Sequence, residues 1–291
     1  MLLFNLAFAA DPIPRDAPGD VRPVRYWDLE HVELDLKIYP EERRLEGRAI
    51  HHLSALYGHP HRIRLHQRGL NFTEVKVDGE VVTPTLGPTF IDIPTHSAHP
   101  VVELSYSASP EIGMHFRGPK WGDEAVEFWT QGEDEENRYW FPSWDYPSDT
   151  FTITSHLTVP SGLVARANGA LTQKEPAGSG WTRWSFALEQ PIANYLVAAV
   201  AGEYAVYPIE GPVPIEALAR TSIPREQVLQ GLDATGEMMV YFNDLLKTDY
   251  PFPVYRQVMV QRFLYGGMEN ASLTTLTEER RGDPSFPIRS Q

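Results

Sequence analysis

Residues 31 to 38 read HVELDLKI and alternate strictly between polar and apolar side chains. The apolar members of the stretch are Val32, Leu34, Leu36 and Ile38. Because successive side chains of a strand point to opposite faces, this period of two predicts a half-buried strand in an antiparallel sheet. The stretch decides the fold class, since similar patterns return along most of the chain.

Alternating or β-rich segments recur up to about residue 210. The clearest is FTITSHLTV at 151–159, and looser examples are RAIHHLSAL, EVKVDGEVV, VVELSYS, WTRWSFAL and NYLVAAVAGEYAVYPI. Turn signals such as Asp78-Gly79 and Pro160-Ser161-Gly162 separate them. We therefore predict a mainly β protein with a large antiparallel β-sandwich or saddle-like domain over residues 23–210.

The pattern changes at EGPVP, residues 210–214, a Pro and Gly cluster that suits a domain joint. The next long segment has helical spacing, with one apolar stripe made of Val228, Leu232, Met239, Phe242 and Leu246. Thr221 or Ser222 is the candidate N-cap and Pro251 ends the helix. VYRQVMVQRF then returns to sheet, so residues 211–291 are predicted to be the incomplete α+β start of a second domain.

Charge and composition exclude several classes of function. The 291 residues carry a formal net charge of -14, which repels a phosphate backbone and excludes nucleic acid as the expected partner. The chain has no cysteine, so a zinc site would need His and carboxylate ligands. Residues 1–22 contain a short apolar run from Leu2 to Ala10, in which Ala7-Phe8-Ala9 resembles a signal-peptidase site. This predicts either an export leader, with a periplasmic or secreted protein, or a disordered start, with a cytoplasmic one. No segment is long enough for a membrane span.

Two short stretches carry candidate binding residues. In GGMEN, Gly266 and Gly267 leave backbone groups uncovered and Glu269 adds a carboxylate beside them, which suits an extended peptide with a free amine. The same residues also fit a plain hairpin turn. In TQGEDEEN, Gln131 and Glu133 follow a β-like stretch at a period of two, although consecutive acids also fit a solvated loop.

Four segments in order resemble the aminopeptidase N family of zinc peptidases, the gluzincin aminopeptidases that include leukotriene A hydrolase. They are HVELDLKIYPEERRLEGRAI, TQGEDEENRYWFPSWDYP, NYLVAAVAGEY and YPFPVYRQVMVQRFLYGGMENASLTTLTEE, and they extend through nearly the whole chain. The resemblance implies that residues 23–210 form the N-terminal β domain of the family. It also implies that residues 211–291 begin a thermolysin-like catalytic domain.

The resemblance also implies roles for the candidate residues. Gly266, Gly267 and Met268 would lie along the substrate backbone within the loop that ends at Asn270. Glu269 would bind the free amine of a peptide substrate. Gln131 and Glu133 would help to hold that amine and to shape the first side-chain pocket.

Catalysis in the family depends on H-E-x-x-H on a helix, and no such string occurs in this sequence. We therefore expect zinc in a full-length enzyme but none bound by this chain, no catalytic residue here, and a missing C-terminal catalytic portion as partner. The histidines in HPHRIRLH and HSAHP are expected to be solvated or hydrogen-bonded, with no metal assigned.

Three other functions stay open. The chain fits a non-catalytic peptide-binding or scaffold protein with an aminopeptidase-like fold, or one half of a split enzyme. It also fits a carbohydrate-binding β-sandwich that uses Trp121, Trp129, Trp140 and Trp144, although aromatic residues of β domains are usually core. Compartment, pocket preference and oligomeric state are not predicted beyond possible export.

Overall fold

The structure is a computed structural model that describes residues 24–58 and 60–278. The predicted leader over residues 1–22 lies outside the described residues. The strands of the first half are β1 (Trp27–Tyr39), β2 (Arg44–Ala55), β3 (Arg62–His66), β4 (Asn71–Val77), β5 (Glu80–Val81), β6 (Thr85–Leu86), β7 (Phe90–Pro94), β8 (Val101–Ala108), β9 (Met114–Arg117) and β10 (Glu127–Thr130).

The later strands are β11 (Thr150–Pro160), β12 (Val164–Ala167), β13 (Ala170–Pro176), β14 (Trp181–Ala193), β15 (Ala199–Gly202), β16 (Tyr204–Ile209), β17 (Ile215–Arg220), β18 (Tyr255–Val260), β19 (Gly267–Met268) and β20 (Leu273–Thr277). The α-helices are α1 (Arg225–Leu229) and α2 (Thr235–Leu246). Single 3-10 turns lie at Pro40–Glu42, Pro119–Trp121, Asn137–Tyr139 and Asn194–Leu196. The predicted fold class, mainly β with an α+β start of a second unit, is confirmed.

The largest sheet has eight strands in the order β13-β14-β11-β1-β2-β8-β4-β5. The four apolar residues of HVELDLKI are all buried in β1, as their alternation predicts. β1 pairs antiparallel with β2 but parallel with β11, so one central pairing departs from the expected antiparallel pattern. The predicted turn at Asp78-Gly79 joins β4 to β5, with both residues at positive φ.

Two smaller sheets complete the first unit. β12-β15-β10-β9 form a four-stranded sheet and β3-β7-β6 a three-stranded one. One hydrophobic core joins all three sheets, with Leu36 from β1, Ile93 from β7 and Phe128 from β10 among its buried members. The four-stranded sheet matters for function, because its strand β10 leads directly into the segment that holds Gln131.

The last sheet has five strands in the order β16-β17-β18-β20-β19. β17 and β18 are parallel, and the connection between them contains α1 and α2, as parallel pairing requires a long crossover. EGPVP lies in the connection between the antiparallel strands β16 and β17. The division of the chain at residue 210 stays a prediction.

The helical segment differs from the expectation in its detail. It is two helices and not one, because the weak helix formers Gly231 and Asp233 lie between α1 and α2. Pro224 precedes α1, so neither Thr221 nor Ser222 caps it. Two members of the predicted stripe, Phe242 and Leu246, are 50% and 65% exposed. The second half of α2 therefore has no apolar cover within residues 24–58 and 60–278. No helix in these ranges is long and apolar enough to cross a membrane.

Candidate functional site

The first candidate segment begins where β10 ends, with Gln131. Its backbone N–H donates to the carbonyl of Gly113 at 2.9 Å, and its side chain is 1% exposed. Neither the Oε1 nor the Nε2 atom of Gln131 has a hydrogen-bond partner within the described part of the chain. Because buried polar groups are normally paired, this amide is a strong candidate to receive a ligand.

Glu133 lies on the acidic loop that follows and is exposed. It makes no ion pair with any residue of 24–58 or 60–278. Burial and the neighbouring Asp134 raise the pKa of Glu136, while the backbone N–H of Gly113 opposes this rise. The loop therefore concentrates negative charge next to Gln131, which favours a cationic ligand group.

Gly113 fixes how this acidic loop lies against the sheet. Its φ is +75°, and a Cβ at this position would lie 2.1 Å from the carbonyl oxygen of Glu136. Only glycine meets both the conformational and the steric requirement. No sequence signal distinguishes this glycine, because the backbone that it contacts, at Glu136, lies 23 residues away in the chain.

The second candidate segment contains β19, the edge strand of the five-stranded sheet. Gly267 and Met268 pair with Leu276 and Thr275 of β20, and the N–H of Thr277 donates to the carbonyl of Gly266 at 3.2 Å. A Cβ at Gly266 would meet nothing within 4 Å. Neither glycine has a positive φ. Gly266 provides open space beside the sheet edge, whereas a Cβ at Gly267 would lie 3.0 Å from Cδ2 of Leu276.

The residues after the glycines alternate between inside and outside. Met268 is buried in a hydrophobic cluster with Trp129 and Phe263. Glu269 is exposed and makes no ion pair with a described residue. Asn270 is buried, its Nδ2 donates to Thr275 Oγ1 at 3.2 Å, and its Oδ1 has no described partner. Glu269 is thus available to a ligand, whereas Met268 and Asn270 support the loop from inside.

The two segments converge on the adjacent residues Ala198 and Ala199. Thr130, directly before Gln131, accepts the N–H of Ala199 on its Oγ1 at 2.9 Å. Asn168 accepts the N–H of Ala198 on its Oδ1 at 2.7 Å and donates from Nδ2 to the carbonyl of Ala271 at 2.6 Å. Segments more than a hundred residues apart in sequence are therefore attached to one dipeptide.

Aromatic packing provides a second link between the segments. The rings of Trp129 on β10 and Phe263, just before the glycines, lie 5.1 Å apart at 70°. The structure records no contact between Glu133 and Glu269, so their convergence on one ammonium group stays a prediction.

No group of three or more His, Asp or Glu residues suitable for a metal occurs in the described ranges. The residues of 24–58 and 60–278 therefore do not fit zinc. His59 lies outside the described residues, His99 interacts with Ser54 at 2.9 Å, and the His66 ring accepts the N–H of Asp145 at 3.1 Å. The tryptophans offered for carbohydrate are poorly placed, since Trp129, Trp140 and Trp144 are buried.

Comparison with known proteins agrees with this architecture. Residues 28–196 match the family model for the Peptidase M1 N-terminal domain, and residues 230–281 match that for the Peptidase family M1 domain. Aminopeptidase N of Acetobacter pasteurianus is 32% identical over 150 residues, which are 50% of this chain and 41% of that protein. The chain thus spans less than half of this relative.

Two solved structures have a similar fold. A variant of the M1 zinc metallopeptidase of Deinococcus radiodurans, bound to a Tyr-Ser-Ala substrate, has a TM-score of 0.74 and 22% identity, covering 87% of this chain and 60% of that chain. The native LTA4 hydrolase of yeast has a TM-score of 0.79 and 19% identity, covering 90% of this chain and 42% of that chain. With a family model matched over more than half of its residues, this chain belongs to the M1 family of peptidases, of which it carries an N-terminal portion.

Proposed function

We propose that this chain anchors the free amine and the backbone of peptide substrates for a zinc-dependent aminopeptidase that removes N-terminal residues. The observation that carries the proposal is the Gln131 side chain, which is buried with both polar atoms unpartnered among the described residues. It directly follows β10, whose Trp129 lies in one hydrophobic cluster with Met268 of the GGMEN loop. A ligand offering both hydrogen-bond donors and acceptors would satisfy this amide.

The candidate residues differ in the part of the peptide that each would bind. Glu269 and Glu133 are exposed carboxylates, and a carboxylate holds an ammonium group by a charge-assisted hydrogen bond. The free edge at Gly266 and Gly267 suits a peptide that adds itself to the sheet as a further strand. An amine held at a fixed place sets the distance to the bond that is cut, so only the first residue would be released.

Zinc would be held by residues outside this chain's sequence. Bound zinc supplies Lewis-acid polarisation and an activated water in peptidases of this kind. No residue here takes that role, since H-E-x-x-H is absent from the sequence. The contribution of this chain is to bind and orient the substrate.

A C-terminal portion of the M1 domain is the partner that we propose. Its proposed contact is the exposed apolar half of α2, formed by Val240, Tyr241, Phe242, Leu245 and Leu246. Apolar patches of this kind normally mark an interface. The match to the M1 domain model begins at residue 230 and includes this helix, which supports a partner from the same domain.

Peptide binding tests the anchoring role. We expect Tyr-Ser-Ala to bind the chain, as measured by NMR titration, and its N-acetylated form to bind much more weakly. Glu269→Gln should weaken binding of the free peptide by about tenfold, because a charge-assisted contact becomes neutral. Glu80→Gln, at an exposed site on the edge strand β5 of the largest sheet, is the matched control. Equal binding of both peptides would contradict the proposal.

The coding sequence after Gln291 separates the enzyme from its alternatives. An in-frame H-E-x-x-H within a few tens of codons supports an enzyme portion, whereas a stop codon supports the scaffold or split-enzyme alternative. With the downstream polypeptide supplied separately, Leu245→Glu should abolish assembly in size-exclusion chromatography. Val81→Glu, which alters an equally exposed apolar residue elsewhere, should not.

A further inference from the structure

Gln261 occupies the position directly after β18 and directly before the loop that carries the candidate residues. Its side-chain Oε1 accepts the N–H groups of Glu124 and Ala125 at 2.7 and 3.3 Å. Its Nε2 donates to the carbonyl of Ala125 at 3.0 Å. The whole side-chain amide is therefore used on the short segment that leads into β10.

The backbone of Gln261 binds to the same region. Its N–H donates to Glu127 Oε1 at 2.7 Å, and its carbonyl accepts from Trp129 Nε1 at 3.2 Å. Two of these five hydrogen bonds reach β10 of the four-stranded sheet, and the other three reach the segment directly before it. Gln261 is buried and all of its polar groups are satisfied, and a fully satisfied buried network of this kind holds one geometry.

On β10, the carboxyl group of Glu127 bonds both to Gln261 and to Tyr204. It is 0% exposed, and its second oxygen accepts the hydroxyl of Tyr204 at 3.0 Å. Glu127 lies on β10 four residues before Gln131, as Gln261 lies shortly before Gly266. The buried residues Glu127 and Gln261 therefore each lie a few residues before one of the two candidate segments.

We infer that Glu127 and Gln261 form a positioning clamp that fixes the 262–270 loop relative to Gln131. The clamp itself follows from the contacts above, whereas its consequence for peptide binding rests on the proposed function. Glu127 and Gln261 are positioning residues and do not contact the substrate themselves. They hold Glu269 and Gln131 at a constant distance from each other. An exopeptidase needs such a fixed distance to select the first residue of a peptide.

Two substitutions of Glu127 distinguish a clamp from general core packing. Glu127→Gln keeps an acceptor for the Gln261 N–H and a group that pairs with Tyr204. Glu127→Ala leaves both donors buried without a partner. Hydrogen exchange of the intact chain is the measurement, because local opening is read out segment by segment.

We expect Glu127→Ala to speed exchange in peptides covering 262–270 by about tenfold, and Glu127→Gln to stay within about twofold of the unaltered chain. Asp92→Ala is the matched control, since Asp92 is a buried carboxylate ion-paired to Arg64 in the three-stranded sheet. It should leave the 262–270 exchange unchanged. Unaltered exchange in Glu127→Ala, or equal loosening in Glu127→Gln and Asp92→Ala, would overturn the clamp.

Gln261→Ala provides a second route if Glu127→Ala does not fold. It removes the three side-chain hydrogen bonds and keeps the backbone ones, so the same loop should exchange faster, and an unchanged loop counts against the clamp. Binding of Tyr-Ser-Ala gives the functional result: weaker binding in the loosened variants supports positioning. If the unaltered chain binds no peptide while the exchange pattern holds, the proposed function fails and the clamp stands.

Discussion

The backbone N–H of Gln261 donates to the carboxylate of Glu127 at 2.7 Å, across 134 residues of sequence. The contact joins the four-stranded sheet to the five-stranded sheet, and it lies in a region from which water is excluded. Burial raises the pKa of a carboxyl group, so the contact between the two sheets is expected to depend on pH.

The stability of the chain should fall with rising pH because of Glu127. Burial raises its pKa to about 7, although the N–H of Gln261 and the hydroxyl of Tyr204 oppose the rise. Glu278 raises it further, and Arg117 lies opposite Glu127 on β9. The folded chain keeps this proton up to about pH 7, while the unfolded chain releases it near 4.5. The free energy of unfolding therefore falls between these two pH values.

Glu127→Gln isolates this effect because glutamine does not titrate. Between about pH 5 and pH 8, the unaltered chain should lose roughly 2 kcal/mol more unfolding free energy than the variant. Urea unfolding of both proteins at each pH is the measurement. Asp145 and Asp149, whose pKa values burial also raises, are present in both proteins and cancel. Parallel pH curves would contradict the prediction.

Asn168→Ala should destabilise the chain more than an ordinary polar substitution. The buried side chain donates to the carbonyls of Leu196 and Ala271 and accepts the N–H of Ala198. Alanine leaves these groups without partners, so we expect a loss of about 2–4 kcal/mol in urea unfolding. Asn71→Ala, at an exposed site, should change stability by less than about 0.5 kcal/mol. Similar losses in the two variants would show that the Asn168 network contributes little.

The extent to which sequence predicts this molecule depends on the range of each interaction. The alternation of HVELDLKI predicts β1 correctly, because burial on one face is a local consequence of a period of two. The parallel pairing of β1 with β11 is not encoded locally, since it joins His31 to Thr152. Helical spacing places Phe242 on an apolar stripe but does not say whether a neighbouring element covers that stripe.

How far the candidate site can be predicted from sequence also depends on the range of its interactions. Gln131 and Gly266 are recognisable because they stand in short motifs with their own chemistry. Gln261 and Asn168 are not, because their importance lies in hydrogen bonds to residues far away in the chain. The open space beside Gly266 is likewise visible only in the folded chain, because it depends on which distant residues pack nearby.

Added zinc should neither bind stoichiometrically nor activate the isolated chain. Residues 24–58 and 60–278 contain no suitable ligand group, and the sequence lacks H-E-x-x-H. We expect the thermal midpoint to stay unchanged with zinc, because a ligand stabilises a protein only by binding its folded state. Calorimetric titration and an aminoacyl substrate assay check this, with an intact M1 zinc metallopeptidase as positive control. One bound zinc with turnover would contradict the prediction.

Gly266→Val tests whether a peptide runs along the free edge of the five-stranded sheet. A Cβ at Gly266 meets nothing within 4 Å and Gly266 has no positive φ, so stability should change by less than about 0.5 kcal/mol. Valine would fill the open space beside Gly266, so if a peptide passes through that space, Tyr-Ser-Ala affinity should fall by at least about tenfold. Gly162→Val is the matched control, because Gly162 also has open space around it and lies in a turn far from β19 in sequence. Undiminished binding in Gly266→Val would show that the bound peptide does not pass through the open space beside Gly266.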